Sequence, residues 1–349
     1  MAWSAPCVCG TFEPANRPLV AGGLVYALNG YTTAPYSLSL RALDASSGQL
    51  RWSTPLGTSD FGDYLAGVAN GLVYVAVPTG AARVVAVDAT SGKLRWQMTP
   101  PAPGSGAVSL SVPVVDGPLA FVAASANGGS EISAIDAGGG VAWSATPGGD
   151  VVSESLTADP GRTLYVVSRL RFTAPPGGSI TLLTGYAERD GTVQSSVSVQ
   201  VDNVTDVVFA GFSNGLVYGA QSPTHGLDGV AFAVHPDTGA LAWSTGRPSG
   251  TGDYVVESAI TPTVVLINHP YGVTARDPTS GAVRWQVTDS TAEAVAGDLV
   301  IFWQGNIRRL SDGTLVATAP GIGEQPVERT PAAGHIYTST SSHVYALAP

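Results

Sequence analysis

The chain has 349 residues, is rich in Gly (43) and Pro (25), and is charged at only 12% of its positions. That composition is too apolar for a disordered chain and suits many short strands joined by tight turns. A net charge of −10 excludes the basic patch that nucleic-acid binding needs, and no apolar run is long enough for a membrane helix.

The opening, Met1 to Gly10, lacks the basic and apolar segments of a signal peptide and reads as the start of a mature or trimmed chain. Within it, AWSAP (2–6) resembles AWSAT (142–146) and AWST (242–245), so it reads as an outermost strand separated from its partners. Cys7 and Cys9 follow as a C-x-C pair. A ring closed across one residue is strained, so two free thiols are expected in preference to a disulfide.

Next comes VAGGLVYALNG (20–30), a small-residue turn flanked by alternating apolar residues, which predicts a hairpin. ALDASSGQLRW (42–52) predicts a second one. The residues before Asp44 alternate as a strand, Asp-x-x-x-Gly turns the chain with Gly at positive φ, and the residues after Gly48 return to Trp52. The two hairpins make one four-stranded unit. The unit recurs as VANGLVYVAV (68–77) with AVDATSGKLRW (86–96), then in the shortened AIDAGGGVAW (134–143). A fourth copy, YAERDGTVQSS (186–196), has Ser195 at the Trp position. FSNGLVYGAQ (212–221) with AVHPDTGALAW (233–243), then ARDPTSGAVRW (275–285), continue the series. RRLSDGTLVA (308–317) is a seventh copy, with Ala317 in place of Trp. Repeats of roughly 40–50 residues with four strands each are propeller blades. The chain ends in HVYALAP, a third strand that stops where its turn would begin. Joined to AWSAP it supplies an eighth blade and closes the ring, which removes the exposed sheet edge. The expected fold is an all-β, eight-bladed propeller over residues 1–349, with seven blades as the alternative.

The phrase Ala-x-Asp-x-x-x-Gly-x-x-x-Trp resembles the tryptophan-docking motif of quinoprotein dehydrogenases and of the larger PQQ-like propeller family. It is closer to that family's cofactor-free, BamB-like members. The resemblance implies that Trp3, Trp52, Trp96, Trp143, Trp243 and Trp285 glue blades together and touch no substrate. The cofactor-using members carry adjacent cysteines that stack on the quinone, which Cys7-Val8-Cys9 is not. Neither their metal-binding trio nor a haem-attachment motif is found in the sequence. No cofactor or metal site is therefore expected, PQQ included, although a cation in the channel remains open.

The resemblance also implies that ligands bind on the face opposite the Asp-Gly turns. An acidic residue precedes the first strand of most blades: Glu13, Asp63, Glu154, Asp206, Glu257, Glu293 and Glu328. Ringed around a channel mouth, such carboxylates would hold a cation, an amine or a basic peptide segment. Loops between the second and third strands add Tyr31, Tyr36, Arg169, Arg171, Phe172, His225, His269 and Tyr271. Residues 168–179 make the longest of these loops. Tyr64 and Tyr254 stand in matching GDY phrases, and Trp303 is the one tryptophan outside the repeat. Aromatic walls with a few polar groups suit a small molecule or a peptide. The expected function is non-catalytic binding of a protein segment or small ligand by a monomeric, extracytoplasmic protein. An enzyme of lyase, hydrolase or cyclase type is the alternative, with Glu257, His269, Asp63, Glu154 or His225 as acid–base candidates. A PQQ-dependent oxidoreductase is the third reading.

Overall fold

The computed structural model describes residues 2–7, 18–30, 37–58, 64–77, 82–104, 107–126, 129–148, 150–172, 178–199, 207–221, 230–245, 258–269, 272–288, 292–302, 305–318, 328–332, 335–339 and 343–347. Every regular element among them is a strand, and none of the described residues forms a helix able to cross a membrane.

The strands fall into eight antiparallel sheets. β1 (Trp3–Pro6) stands first in the chain. Blade 1 orders β2 (Leu19–Ala21), β3 (Leu24–Gly30), β4 (Ser37–Asp44) and β5 (Leu50–Thr58) from inside to outside. Blade 2 has β6 (Tyr64–Ala69), β7 (Leu72–Val77), β8 (Arg83–Asp88) and β9 (Leu94–Met98). In blade 3 the inner strand is split into β10 (Ser109–Leu110) and β11 (Val114–Asp116), both paired with β12 (Leu119–Ala126), followed by β13 (Gly129–Asp136) and β14 (Val141–Ala145). Pro113 in the gap has no N–H to give, and the Ser111 hydroxyl accepts the Ala123 N–H that the missing rung would have taken.

Blade 4 has β15 (Asp150–Asp159), β16 (Thr163–Phe172), β17 (Gly178–Ala187) and β18 (Val193–Val199). Blade 5 has β19 (Val207–Ser213), β20 (Leu216–Gln221), β21 (Ala231–Val234) and β22 (Leu241–Ser244). Blade 6 has β23 (Ser258–Ile260), β24 (Val265–His269), β25 (Gly272–Arg276) and β26 (Val283–Val287). Blade 7 has β27 (Ala292–Ala296), β28 (Leu299–Phe302), β29 (Asn306–Arg309) and β30 (Leu315–Thr318). Blade 8 joins β31 (Glu328–Ala332), β32 (His335–Ser339) and β33 (His343–Leu347) to β1, with Trp3 opposite Ala346 and Pro6 opposite His343. The innermost strands neighbour one another around the whole circuit, β31 meeting β2. The protein is an eight-bladed β-propeller closed by its own first strand.

The blades adhere through the repeated turn. In blade 1 the Asp44 carboxylate accepts the N–H groups of Ser46 (3.0 Å) and Ser47 (2.9 Å), and Arg51 caps it at 2.6 Å. Those donors hold the Asp44 acid well below the usual carboxylate range, and Asp277 in blade 6 is held down in the same way by Arg284 and the Ser280 turn. Gly48 takes φ +72°, and a Cβ there would lie 2.6 Å from the Trp3 indole. The turn must therefore be glycine for two separate reasons, handedness and room for the ring. Each indole also donates to the neighbouring turn: Trp3 to Ala45 O (2.9 Å), Trp52 to Ala89 O (3.2 Å), Trp96 to Ala137 O (2.9 Å), Trp143 to Glu188 O (2.6 Å), Trp243 to Pro278 O (2.8 Å) and Trp285 to Leu310 O (2.9 Å).

Two seams lack an indole because Ser195 and Ala317 occupy its register. Between blades 4 and 5 the sheets close directly. A Cβ on Gly239 would meet the Ser198 carbonyl at 2.8 Å and the Val197 side chain at 3.2 Å, and Tyr165 stacks on Phe212 with centroids 5.2 Å apart. Pairing between third and fourth strands slips by one residue just after the Trp register in all seven blades that carry the turn. These bulges twist the outer strand away from pairing with another sheet, so the outer edge stays open without being flat. The first residue of that strand, such as Leu50 or Leu94, is apolar and exposed because no further layer covers it.

Cys7 is disulfide-bonded, which corrects the expectation of free thiols. The one other cysteine in the sequence, Cys9, lies outside the described residues.

Candidate functional site

The turns sort the molecule into two faces. In blade 1 the Ala45 N–H donates to Gly23 O at 2.9 Å, and in blade 2 Ala89 N donates to Gly71 O at 2.8 Å. The turns joining strands one to two therefore sit beside the Asp-Gly turns on one face. Loops joining strands two to three, and blade to blade, leave from the other. The turn face is committed to holding the wheel together. Its Asp carboxylates accept their own turn amides, its glycines receive indoles, and Asn70 and Asn214 reach across seams to Gly117 O and Pro262 O, both at 2.7 Å. Where blade 4 lacks the leading Asp, Asp190 binds Thr192 and Arg189 instead, and these donors pull its acid down to about 2.

On the loop face, seams are tied by polar groups that the sequence reading did not single out. Arg83 donates to Leu56 O at 2.6 Å across blades 1 and 2, and the Ser130 hydroxyl accepts Val151 N at 2.8 Å across blades 3 and 4. Ser130 is itself bonded to Ser125 at 2.7 Å.

The nominated residues divide into three groups. Tyr31, Tyr36, Asp63, Asp206, His225, Tyr254, Glu257, Tyr271 and Trp303 lie outside the described residues, as do Glu13, residues 59–62, 246–253 and 319–327. Strands nevertheless begin directly after three of the acids: β6 at Tyr64 after Asp63, β19 at Val207 after Asp206, and β23 at Ser258 after Glu257. A second group is placed within strands. Tyr64 opens β6, and His269 ends β24 opposite Gly272, so it is a strand residue and not a loop residue. Arg169, Arg171 and Phe172 are likewise in β16, paired with Thr181, Ser179 and Gly178. Of the loop expected over 168–179, residues 168–172 and 178–179 are strand, and residues 173–177 lie outside the described residues. The sequence Leu-Arg-Phe-Thr-Ala before the prolines obscured the fact that the hairpin simply continues.

The third group corrects the acidic series. Three of its members are inside strands, not ahead of them. Glu154 falls in an irregular stretch of β15 between Val151 and Leu156, Glu293 is the extra residue of a bulge between Ala292 and Ala294, and Glu328 is the first residue of β31. Bulges lengthen two innermost strands toward the loop face, which moves Glu154 and Glu293 into the sheet, whereas Glu328 opens β31 in regular pairing with Ser339. Among the described residues no group of three or more His, Cys, Asp or Glu side chains is arranged to hold a metal.

One acid that sequence reasoning missed is Glu188. It takes the turn position held by Ala45, Ala89 and Pro278 in other blades, and that departure from small or cyclic residues was the available signal. Its carbonyl receives Trp143, its N–H donates to Arg162 O at 3.0 Å, and its carboxyl is buried. Burial, followed by the carboxyl of Asp116 from blade 3, raises the Glu188 acid to about 7.

Comparison with known proteins adds the lineage. The family PQQ_2, described as "Outer membrane protein assembly factor BamB", matches residues 37–168 and 128–300. The chain belongs to this family. No curated protein matches the sequence. Among solved structures, BamB from Moraxella catarrhalis is similar at TM-score 0.61 and 14% identity, covering 99% of this chain and 100% of its own. A quinohemoprotein alcohol dehydrogenase from Comamonas testosteroni is similar at TM-score 0.67 and 14% identity, covering 99% and 75%. Sqt1 from Saccharomyces cerevisiae is similar at 0.64 and 12% identity, covering 99% and 100%. At such identities these likenesses show the shared fold, which carries unlike tasks.

Proposed function

We propose that this BamB-family propeller is a non-catalytic binding protein whose loop face takes an extended protein segment bearing basic groups. One observation carries the reading. The residues that repeat from blade to blade are consumed in joining blades, so selective contacts must come from the face where the copies diverge. In sequence, the diverging segments at strand starts and between second and third strands carry Asp63, Glu154, Asp206 and Glu257, with Tyr31, Tyr36, Tyr64, Tyr254, His269 and Tyr271, and Arg171, Phe172, His225 and Trp303. Carboxylates attract basic side chains, and tyrosines offer large contact area at low entropy cost. The family's description as an assembly factor supports a protein partner, and the disulfide at Cys7 supports an oxidising, extracytoplasmic setting.

The test is selection of displayed random peptides on the purified protein, repeated with two variants. Replacing Tyr254, Glu257 and His269 by Ala should lower affinity for the selected basic peptides at least tenfold. Replacing Lys93 and Arg95 on the turn face should leave it unchanged. The reading fails if loop-face replacement has no effect, or if turn-face replacement has the larger one.

A further inference from the structure

Glu188 stands at the seam between blades 3 and 4, only 6% exposed, and its Oε1 has no hydrogen-bond partner. The neighbours that face it are acidic or neutral. Asp116, at the end of β11 in blade 3, is its main charged neighbour, and its Oδ2 accepts the Gly161 N–H of blade 4 at 2.6 Å. Asp159, at the end of β15, adds a further negative charge. Arg162 in the same turn gives its backbone carbonyl to Glu188 N and has its side chain in solvent. On the acid's own turn, Arg189 is largely exposed and paired with Asp190 at 2.8 Å. Trp143 covers the turn from β14 and is neutral. No cation reaches the pair among these groups. Two ionised carboxylates so placed would repel in a site poor in water, whereas one proton between them makes a charge-assisted O–H···O⁻ bond.

We propose that Glu188 and Asp116 share a single proton across the seam between blades 3 and 4, forming a carboxylic acid–carboxylate clasp that holds these blades in acid and releases as the medium is brought to neutrality. The clasp joins the same two blades that Trp143 and the Gly161 amide join, so its loss weakens one particular seam and leaves the rest of the wheel intact. It is independent of what the loop face binds.

The experiment compares urea unfolding of the whole protein at about pH 5.5 and about pH 8.5. The wild-type midpoint should fall over that interval, while Glu188→Gln, whose amide donates to Asp116 at any pH, should lose most of the fall. An infrared measurement on the native wild type needs no variant to fold. A protonated carboxyl band should persist to near pH 7, after ordinary acids have ionised. Asp116→Asn keeps an acceptor for Gly161 and removes the shared charge, so it should move disappearance of that band to lower pH. The proposal is overturned if the wild-type midpoint is flat, if Glu188→Gln falls as the wild type does, or if Asp116→Asn leaves the band unmoved.

Discussion

Trp3 and Tyr337 lie at opposite ends of the chain and donate to the same oxygen, the carbonyl of Ala45, at 2.9 Å from Nε1 and 3.1 Å from the phenol. The pattern is repeated at Ala89 O by Trp52 and Tyr26, and at Pro278 O by Trp243 and Tyr218. A carbonyl with two lone pairs thus anchors both an outer-strand ring and a second-strand ring at three seams. At the closing seam these two bonds, with that from Arg41 to Pro6 O at 3.2 Å, link both terminal strands to blade 1.

Truncating the closing ring should therefore cost much more than an ordinary surface change. Trp3→Ala removes a buried aromatic and its hydrogen bond, an expected loss of about 3–5 kcal/mol. Tyr337→Phe keeps the ring and should cost about 1 kcal/mol. Urea unfolding followed by circular dichroism measures both.

The two demands on the turn glycines can be separated. Gly281 has φ +70° and a Cβ there would sit 2.6 Å from the Trp243 ring, whereas Gly215 has φ +74° and open space. Gly215→Ala should cost about 1–2 kcal/mol for handedness alone. Gly281→Ala should cost about 1–3 kcal/mol more, because the indole must move. Equal losses in thermal or urea unfolding would refute the docking role of the indole.

Restoring the repeat at Ser195 should not help. The seam it faces is already filled by Val197 and the Ser198 carbonyl against Gly239. Ser195→Trp is expected to lower stability by about 1–3 kcal/mol through overpacking. A rise in unfolding midpoint would show that the seam has spare room.

Acid should act on the turns in the opposite sense to the Glu188 clasp. The Asp44 and Asp277 acids are depressed by their turn amides and arginines, so the stability they contribute is present above the unfolded value near 4 and lost as pH falls further. Glu188 is raised, so its contribution is full below about 4 and is lost as pH climbs toward 7. Stability should peak in mildly acidic solution. Asp277→Asn should flatten the acid limb and Glu188→Gln the alkaline one, as read from unfolding midpoints across pH.

The architecture was legible because each demand of the wheel falls on a residue type that few others can replace. Gly48 and its counterparts need positive φ and no side chain, the indoles need a flat donor, and Asp44 needs two acceptor oxygens. Even the gaps at Ser195 and Ala317 were countable, since their register was kept. The surroundings of the candidate site were less legible. Whether Arg171, Phe172 and His269 lie in loops or strands depends on how far hairpins run, and bulges that carry Glu154 and Glu293 into strands have no local signature. Glu188 was overlooked because its partner Asp116 is distant in sequence, and only the closed ring brings the two turns together.

Amide hydrogen exchange of the intact protein, read by mass spectrometry over residues 1–7 and 335–349, tests the closed wheel most directly. The account predicts that the β1 amides bonded to the last blade exchange as slowly as those of Val344 and Tyr345 in its partner strand, and that Trp3→Ala speeds exchange in both segments together. Rapid exchange in the N-terminal strand while the C-terminal one stays protected would contradict it, leaving an open ring without a defined central mouth.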